Sequence, residues 1–280
     1  MKTTIIADGL CFGEGPRWHQ GRFWFSDMHA RTVYALNPDN SLETIVTLPD
    51  DEPSGLGWLP DNRLLIVSMQ QRKLRVFDGS TLSTFADLSD KASFHCNDMV
   101  TDARGHSWVG NFGYDLHAGA ESRPAEIILV EPDGSSRIVA DDLLFPNGTV
   151  ITPDGKTLIV GESFGARLTA FDLEADGSLT NRRVWATTEG AVPDGICLDE
   201  AGGIWVASPI SNECLRVIEG GEVTHRIPLE KQAFACMLGG DDRRTLYILT
   251  SNSSHPDQCT VEKSAQIECC EAPYAGAGCP

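Results

Sequence analysis

The sequence predicts an all-β fold, a six-bladed β-propeller. One unit recurs six times, with starts 40, 43, 50, 47 and 41 residues apart, and each copy places two β-rich apolar runs around a turn. No stretch shows the sustained 3.6-residue periodicity of a long helix. Because repetitive all-β chains often run long as one unit, we expect residues 1–280 to form a single domain.

Each copy begins with the inner hairpin of a blade. The six hairpins read EGPRWHQGRFWFSD from Glu14, SGLGWLPDNRLLIVS from Ser54, NDMVTDARGHSWVG from Asn97, NGTVITPDGKTLIVGES from Asn147, DGICLDEAGGIWVAS from Asp194 and ACMLGGDDRRTLYILTS from Ala235. A turn rich in Asp, Gly, Pro or Asn separates the two runs of each copy, as expected for an antiparallel hairpin.

Two further strands per unit are expected between the hairpins. Segments such as RTVYALNP, KLRVFDG and RLTAFDLEADG alternate in character and end in turn signals. Four strands about every 45 residues is the spacing of a propeller blade, and six repeats predict six blades around a channel. The N-terminal segment TTIIAD is expected to pair with the last blade, which would avoid an open sheet edge.

Composition excludes several classes of function. The chain carries 22 Lys and Arg against 40 Asp and Glu, a net charge of −18, which disfavours nucleic-acid and anionic-membrane partners. No apolar run approaches the roughly 18 residues of a bilayer span, and the N-terminus lacks a secretory apolar stretch. The nine cysteines include no C-x-x-C pair, so we expect reduced thiols and a cytoplasmic protein. G-x-S-x-G and a Gly-rich phosphate loop are also missing from the sequence.

Oxygen-bearing side chains share one column of the repeat. The first strand of each blade lines the channel, so the aligned first positions should converge near one axis; they are Glu14, Ser54, Asn97, Asn147, Asp194 and Ala235. Carboxylate and amide oxygens without Cys suit Ca²⁺, Mg²⁺ or Mn²⁺. Alternatively, the N-G and D-G pairs mark plain β-turns. Since turn chemistry gives no reason for Glu in this column, we favour a central metal site.

The chain also resembles a known family, that of regucalcin, gluconolactonase, luciferin-regenerating enzyme and senescence marker proteins. The resemblance rests on GEGPRW, the ND of HCND, FPNGTVITPDGKTLIV, PDGICLDEAGGIWVA, CMLGGDDRRTLYILTS and AGAGCP, in this order. It implies a six-bladed propeller that hydrolyses lactones with one divalent cation, often Ca²⁺, with Zn²⁺, Mg²⁺ or Mn²⁺ also supporting activity. It places Glu14, Asn147 and Asp194 as metal ligands and Asn97 as a residue that binds substrate or approaches the metal.

One departure from the family concerns specificity. Members that act on sugar lactones carry an Arg two residues before the equivalent of Asn97, where this chain has His95. Aldonolactone specificity is therefore not implied. His95 is a candidate for orienting substrate or moving a proton near neutral pH, or it is a hydrogen-bonded channel histidine without a catalytic part.

A cation held by three protein oxygens keeps positions for water and a small-molecule substrate, and it can polarise a lactone carbonyl. Asp194 is the candidate base, with His95 as the alternative. Candidate pocket residues from the inner hairpins are Arg17, Trp18, Ser54, Asn111, Phe112, Tyr114 and Phe164. Their aromatic character suggests a substrate less hydrophilic than a sugar lactone, although packing between blades explains the aromatics equally well.

Two other functions stay open at this point. One is a non-catalytic, calcium-binding regulatory propeller, and the other uses the same metal site for organophosphate hydrolysis or a non-hydrolytic conversion. Four tryptophans on or beside strands are assigned to the core; they are Trp24, Trp58, Trp108 and Trp205.

Overall fold

The fold is a ring of six antiparallel four-stranded sheets. We describe it from a computed structural model that covers residues 1–188 and 190–279. Five sheets are built from four strands that follow one another in sequence, and each strand hydrogen-bonds to the next. The first strands of successive blades contact one another around the channel. The predicted six-bladed β-propeller is confirmed.

The strand bounds follow the predicted repeat. Blade 1 contains β2 Gly13–His19, β3 Arg22–Asp27, β4 Thr32–Leu36 and β5 Leu42–Thr47. Blade 2 contains β6 Pro53–Trp58, β7 Leu64–Ser68, β8 Lys73–Phe77 and β9 Leu82–Asp87. Blade 3 contains β10 Cys96–Thr101, β11 Ser107–Asn111, β12 Ala125–Val130 and β13 Ser136–Leu143. Blade 4 contains β14 Pro146–Ile151, β15 Thr157–Glu162, β16 Arg167–Leu173 and β17 Leu179–Thr187.

The last two blades complete the ring. Blade 5 contains β18 Ile196–Leu198, β19 Ile204–Ser208, β20 Glu213–Val217 and β21 Val223–Pro228. Blade 6 contains β22 Gln232–Gly239, β23 Thr245–Ser251, β24 Ala265–Glu271 and, as its outer strand, β1 Thr4–Leu10. The pairing of β1 with β24 brings Thr4 opposite Cys269 and Ile5 opposite Glu268. The expected closure by the N-terminal segment is therefore confirmed, and it covers the edge that β24 would otherwise expose.

Glycines in or directly before the inner strands allow adjacent blades to approach closely. A Cβ on Gly148 would lie 2.4 Å from the backbone nitrogen of Ile196 in the next blade, and one on Gly195 would lie 2.6 Å from the Cβ of Ala235. Asn147 and Gly148 lie inside β14. The turn interpretation of this N-G pair is therefore wrong, because the glycine is required by contact between backbones rather than by a turn.

Apolar side chains fill the space between the sheets. Trp108 and Trp205 are fully buried, as assigned, whereas Trp24 and Trp58 are half-buried and stack with each other edge to face. All nine cysteines are free.

Helical structure is limited to short segments. Helix α1 spans Pro256–Glu262 between β23 and β24, and a 3-10 turn covers Ser163–Gly165. Within residues 1–188 and 190–279, none of the helical segments has the length and apolar character needed to cross a bilayer. Cys279 forms an isolated β-bridge with Ile151 of blade 4, so backbone hydrogen bonds tie the C-terminal segment to that blade. Pro280, the last residue of that segment, lies outside the described residues.

Candidate active site

A cavity of about 330 Å³ opens at the end of the channel where the inner strands begin. Two columns of the repeat supply ten of the residues that line it. The first lies two residues before the aligned ring position and contributes Phe12, Glu52, His95, Phe145 and Val192. The second directly follows the second strand of each blade and contributes Met28, Met69, Phe112, Ser163 and Pro209. The shape of the cavity therefore follows from the repeat itself.

Four of the six aligned ring residues lie in this cavity, and we call them the oxygen ring: Glu14, Asn97, Asn147 and Asp194. The first three are almost completely buried, with 6 to 7% of their surface exposed. In β2, β10 and β14 the regular pairing with the next strand is interrupted around the ring residue. Such bulges re-aim side chains. Side chains far apart in sequence thus converge in one cavity, as the repeat predicts.

The two amides direct their nitrogens toward protein acceptors. Nδ2 of Asn147 donates to Oγ of Ser163 at 3.2 Å, and that hydroxyl donates to the carbonyl of Pro193 at 2.7 Å. Nδ2 of Asn97 makes a longer contact of 3.5 Å with the carbonyl of Pro146. Each side chain is therefore left with Oδ1 as the atom it can offer to a ligand.

The two carboxyl groups of the oxygen ring repel each other in a buried setting. Burial, Asp194 and Asp98 hold the pKa of Glu14 well above its usual value. Burial raises the pKa of Asp194 to about 8, with Asp98 adding to the rise and the amide of Asn147 opposing it. Ionising both carboxyls therefore costs free energy unless a positive charge is present.

This arrangement fits a divalent cation. Oδ1 of Asp194 is buried and has no hydrogen-bond partner among the described residues, and such an orphaned oxygen is costly without a ligand. In residues 1–188 and 190–279 no three His, Cys, Asp or Glu side chains cluster closely enough to hold a metal. A site here would therefore depend on the amide oxygens of Asn97 and Asn147 beside two carboxylates, a donor set suited to Ca²⁺.

Arg17 and Trp18 do not line this cavity. The Arg17 guanidinium donates to the carbonyls of Leu56 and Pro16 at 2.9 and 2.7 Å, and to Oδ1 of Asp98 at 2.6 Å. Trp18 stacks on Tyr247. Both residues belong to a separate depression, so the structure does not bring them to the oxygen ring as the sequence led us to expect.

Three other expected pocket residues, Ser54, Asn111 and Tyr114, do not line the cavity. Ser54 is buried and its carbonyl accepts a hydrogen bond from Ser26. The Asn111 amide donates to the backbone and side chain of Glu126, both at 3.0 Å, and accepts from the Gly113 amide. The third residue, Tyr114, lies close to the cavity, with its ring centroid 6.2 Å from that of Phe164. Phe112 and Phe164 do line it.

His95 lies on the wall, stacked on Phe94 with ring centroids 4.1 Å apart. Burial lowers its pKa, against the opposing effect of Asp115 and other carboxylates, so the neutral imidazole is favoured at pH 7. Two further histidines, His29 and His117, also line the cavity. His95 is therefore one of three histidines on the described part of the wall.

A partly buried pair on the wall, His29 and Glu52, was not predicted from the sequence. Nδ1 of His29 lies 3.0 Å from Oε1 of Glu52, and its Nε2 lies 3.2 Å from the carbonyl oxygen of Ser254. Nε2 of Gln70 donates to the other oxygen of Glu52 at 3.0 Å. These contacts connect the segment before α1, which contains Ser254, to His29 of blade 1 and Glu52 at the start of blade 2. Glu52 could have been found from the sequence, since it stands two residues before Ser54, as His95 does before Asn97.

The fold and this cavity define a class of protein: a six-bladed propeller with a carboxylate and amide ring at the end of its channel. The chain belongs to the SMP-30/Gluconolactonase/LRE-like family, whose model matches residues 12–252. It is 26% identical over 264 residues to a pentonolactonase of Haloferax volcanii, covering 90% of this chain and 86% of the relative. It is 24% identical over 258 residues to regucalcin of Xenopus laevis, covering 88% and 85%.

A solved structure has the same architecture. The regucalcin of Agrobacterium tumefaciens, described as a calcium-binding protein, superposes with a TM-score of 0.80 at 22% identity, covering 98% of this chain and 94% of that one. The predicted family membership is thus confirmed.

Proposed function

We propose that this protein is a divalent-cation-dependent lactonase that acts on small-molecule lactones, with Ca²⁺ as the favoured ion and Zn²⁺, Mg²⁺ or Mn²⁺ as alternatives. The observation that carries the proposal is the orphaned Oδ1 of Asp194 beside Glu14 in an open cavity. The pentonolactonase among the relatives supports the reaction class, and the calcium-binding regucalcin among the similar structures supports the ion.

In this proposal Glu14, Asn147 and Asp194 hold the ion, and Asn97 contacts the substrate. When bound, the cation supplies Lewis-acid polarisation of the lactone carbonyl and lowers the pKa of bound water. The chain's own contribution is to orient the ring ester against Asn97 and to exclude bulk water with the apolar wall.

Asp194 accepts the proton of the attacking water through a carboxylate oxygen, and His95 is the alternative acceptor. A bond forms between the water oxygen and the carbonyl carbon, and the ring carbon–oxygen bond breaks. The proton passes to the departing ring oxygen, so that the product is a hydroxy acid. Each atom of the lactone and the water is retained in that product.

Partners and location follow the same reasoning. A cavity of this size takes a small molecule, and the net charge of −18 disfavours nucleic acid and anionic membranes. We propose a cytoplasmic location because all nine cysteines are free.

A non-catalytic calcium-binding role is the second candidate, favoured by the similarity to a regucalcin described as calcium-binding. The two candidates differ in what the apolar wall is for. A calcium carrier needs only the oxygen ring, whereas a lactonase also needs a cavity that receives an organic substrate. Use of the same ring for organophosphate hydrolysis or a non-hydrolytic conversion is an outcome that a substrate panel detects.

The test removes the ion with a chelator, adds back Ca²⁺, Mg²⁺, Mn²⁺ or Zn²⁺, and measures hydrolysis of a panel of lactones, simple esters and organophosphates. We expect turnover of a lactone to be lost with chelator and restored by a cation. Asp194→Asn should lower kcat by at least about 100-fold, whereas the exposed control Asp241→Asn should not. Cation binding without turnover on any substrate would favour the regulatory role, and full activity of Asp194→Asn would remove Asp194 from the chemistry.

A further inference from the structure

Cation binding by the oxygen ring would not require an apolar wall, yet many of the side chains that line the cavity are apolar. Apolar side chains from all six blades and from α1 surround the ring; they are Phe12, Met28, Met69, Phe112, Leu116, Phe145, Phe164, Val192, Pro209, Ile210, Phe234 and Pro256. A lactone bound with its ester at the oxygen ring would place its substituents against these side chains.

The phenylalanines form two aromatic groups on this wall. Phe12 meets Phe234 edge to face with centroids 4.7 Å apart. Phe145 contacts Phe112 at 4.6 Å and Phe164 at 4.9 Å. Rings held in this way offer preformed faces and edges to a ligand.

Two large apolar side chains stay exposed where the cavity opens. Phe164 is 48% exposed and Ile210 is 74% exposed. Exposed apolar groups that border a pocket lined by further apolar groups mark a binding surface. A ligand that covered both would remove apolar area from water, which is favourable.

Several polar groups of the wall already bond to each other. His29 lies within hydrogen-bond distance of Glu52 and the Ser254 carbonyl, and Gln70 donates to Glu52. Ser163 is held by Pro193 and Asn147. A sugar-lactone hydroxyl placed against these particular residues would have to displace their bonds or lose its own, and an unpaired buried hydroxyl is unfavourable.

We infer that the substrate is a lactone whose ring carries an apolar alkyl or aryl substituent, which binds against Phe145, Phe164 and Ile210. The inference rests on the proposed lactonase function and deepens it. Phe164 and Ile210 are then specificity-determining residues: they contact the substituent and take no part in opening the ring.

The test compares γ-butyrolactones that carry no substituent, a hexyl group or a phenyl group with an aldono-γ-lactone, on the cation-loaded protein. We expect kcat/KM for the hexyl compound to exceed that for the unsubstituted and the hydroxylated compounds by at least about tenfold. Phe164→Ala and Ile210→Ser should raise KM for the hexyl compound about 5- to 10-fold, and by a clearly smaller factor for the unsubstituted compound. The matched control is Ile138→Ala, because Ile138 is an exposed isoleucine on β13 that lies outside the cavity.

A second measurement does not need turnover. Binding of the corresponding hexyl and polyhydroxylated lactams, whose amides resist hydrolysis, is measured by calorimetry. We expect the hexyl lactam to bind at least about tenfold more tightly, with the difference reduced in Phe164→Ala. Preference for the aldonolactone and the hydroxylated lactam would overturn the inference and leave the lactonase proposal standing. Tight hexyl-lactam binding without hydrolysis of any lactone would contradict the lactonase proposal while retaining the apolar site.

Discussion

Arg17 and Asp98 form a buried ion pair, with Nη2 of the arginine 2.6 Å from Oδ1 of the aspartate and both side chains less than 8% exposed. Arg17 follows Glu14 by three residues and Asp98 directly follows Asn97, so the pair joins the inner strands that carry two members of the oxygen ring. Asp98 is also an exception within the repeat. The other three members of the oxygen ring are each followed by a glycine, namely Gly15, Gly148 and Gly195, whereas Asn97 is followed by Asp98.

Replacement of Arg17 should therefore affect stability rather than substrate binding. Arg17→Met leaves the Asp98 carboxylate buried without its partner, which costs about 3–5 kcal/mol. The measurement is the free energy of unfolding in urea. The exposed pair of Arg63 and Asp61 supplies the control, since Arg63→Met should cost less than about 1 kcal/mol.

The repeat suggests a rescue of that variant. Asp98→Gly, added to Arg17→Met, removes the unpaired charge and restores the residue type found after most other ring positions, so it should recover part of the lost stability. If Arg17→Met unfolds like the parent protein but has a raised KM, Arg17 contacts substrate, as the sequence had indicated.

The Asp194 carboxyl should stabilise the metal-free protein less as pH rises. The pKa of Asp194 is raised to about 8 in the folded chain from 3.8, so the folded state binds this proton more tightly than the unfolded state. The stabilisation is complete below about pH 4 and is lost as pH rises toward 8. Glu14 shifts in the same direction.

The comparison is with Asp194→Asn, which removes this carboxyl together with its repulsion of Glu14, while all other titrating groups are shared. In chelator, the melting temperature of the parent protein relative to the variant should fall by several degrees between pH 5 and pH 9, and saturating Ca²⁺ should abolish the fall. If the difference in melting temperature between the two proteins does not change with pH, other groups of the metal-free protein already stabilise the ionised Asp194 carboxyl.

His95 should contribute to orientation more than to proton transfer. His95→Gln keeps a polar group at the wall and removes the base, and we expect kcat/KM to fall less than about tenfold, mainly through KM. The pH dependence of kcat should keep its shape. A fall in kcat of about 100-fold or more, with loss of the acidic limb of the profile, would instead make His95 the general base.

The ring of blades and the oxygen ring could be predicted from the sequence because both are periodic. Glu14, Asn97, Asn147 and Asp194 share one column, and a propeller brings equal columns to one axis. The residues two positions before the oxygen ring form a second column that lines the cavity. Only His95 of this column was considered from the sequence, but the same reasoning would also have identified Phe12.

The expected pocket residues that do not line the cavity have a common physical explanation. Arg17, Asn111 and Ser54 lie on inner hairpins, but a strand presents successive side chains to opposite faces, and the bulges near the ring shift that alternation. Their direction therefore could not be read from spacing. The contact of His29 with Ser254 joins residues 225 positions apart, and no repeat relates these two positions.

The most direct test of the central claim is calorimetric titration of the chelator-treated protein with Ca²⁺ at pH 9, above the pKa of about 8 of Asp194. We predict saturable binding of one ion per chain, at least about tenfold weaker in Glu14→Gln and Asp194→Asn and unchanged in Asp241→Asn. Equal affinity in all four proteins, or no saturable binding in the parent, would contradict the assignment of the oxygen ring as the metal site.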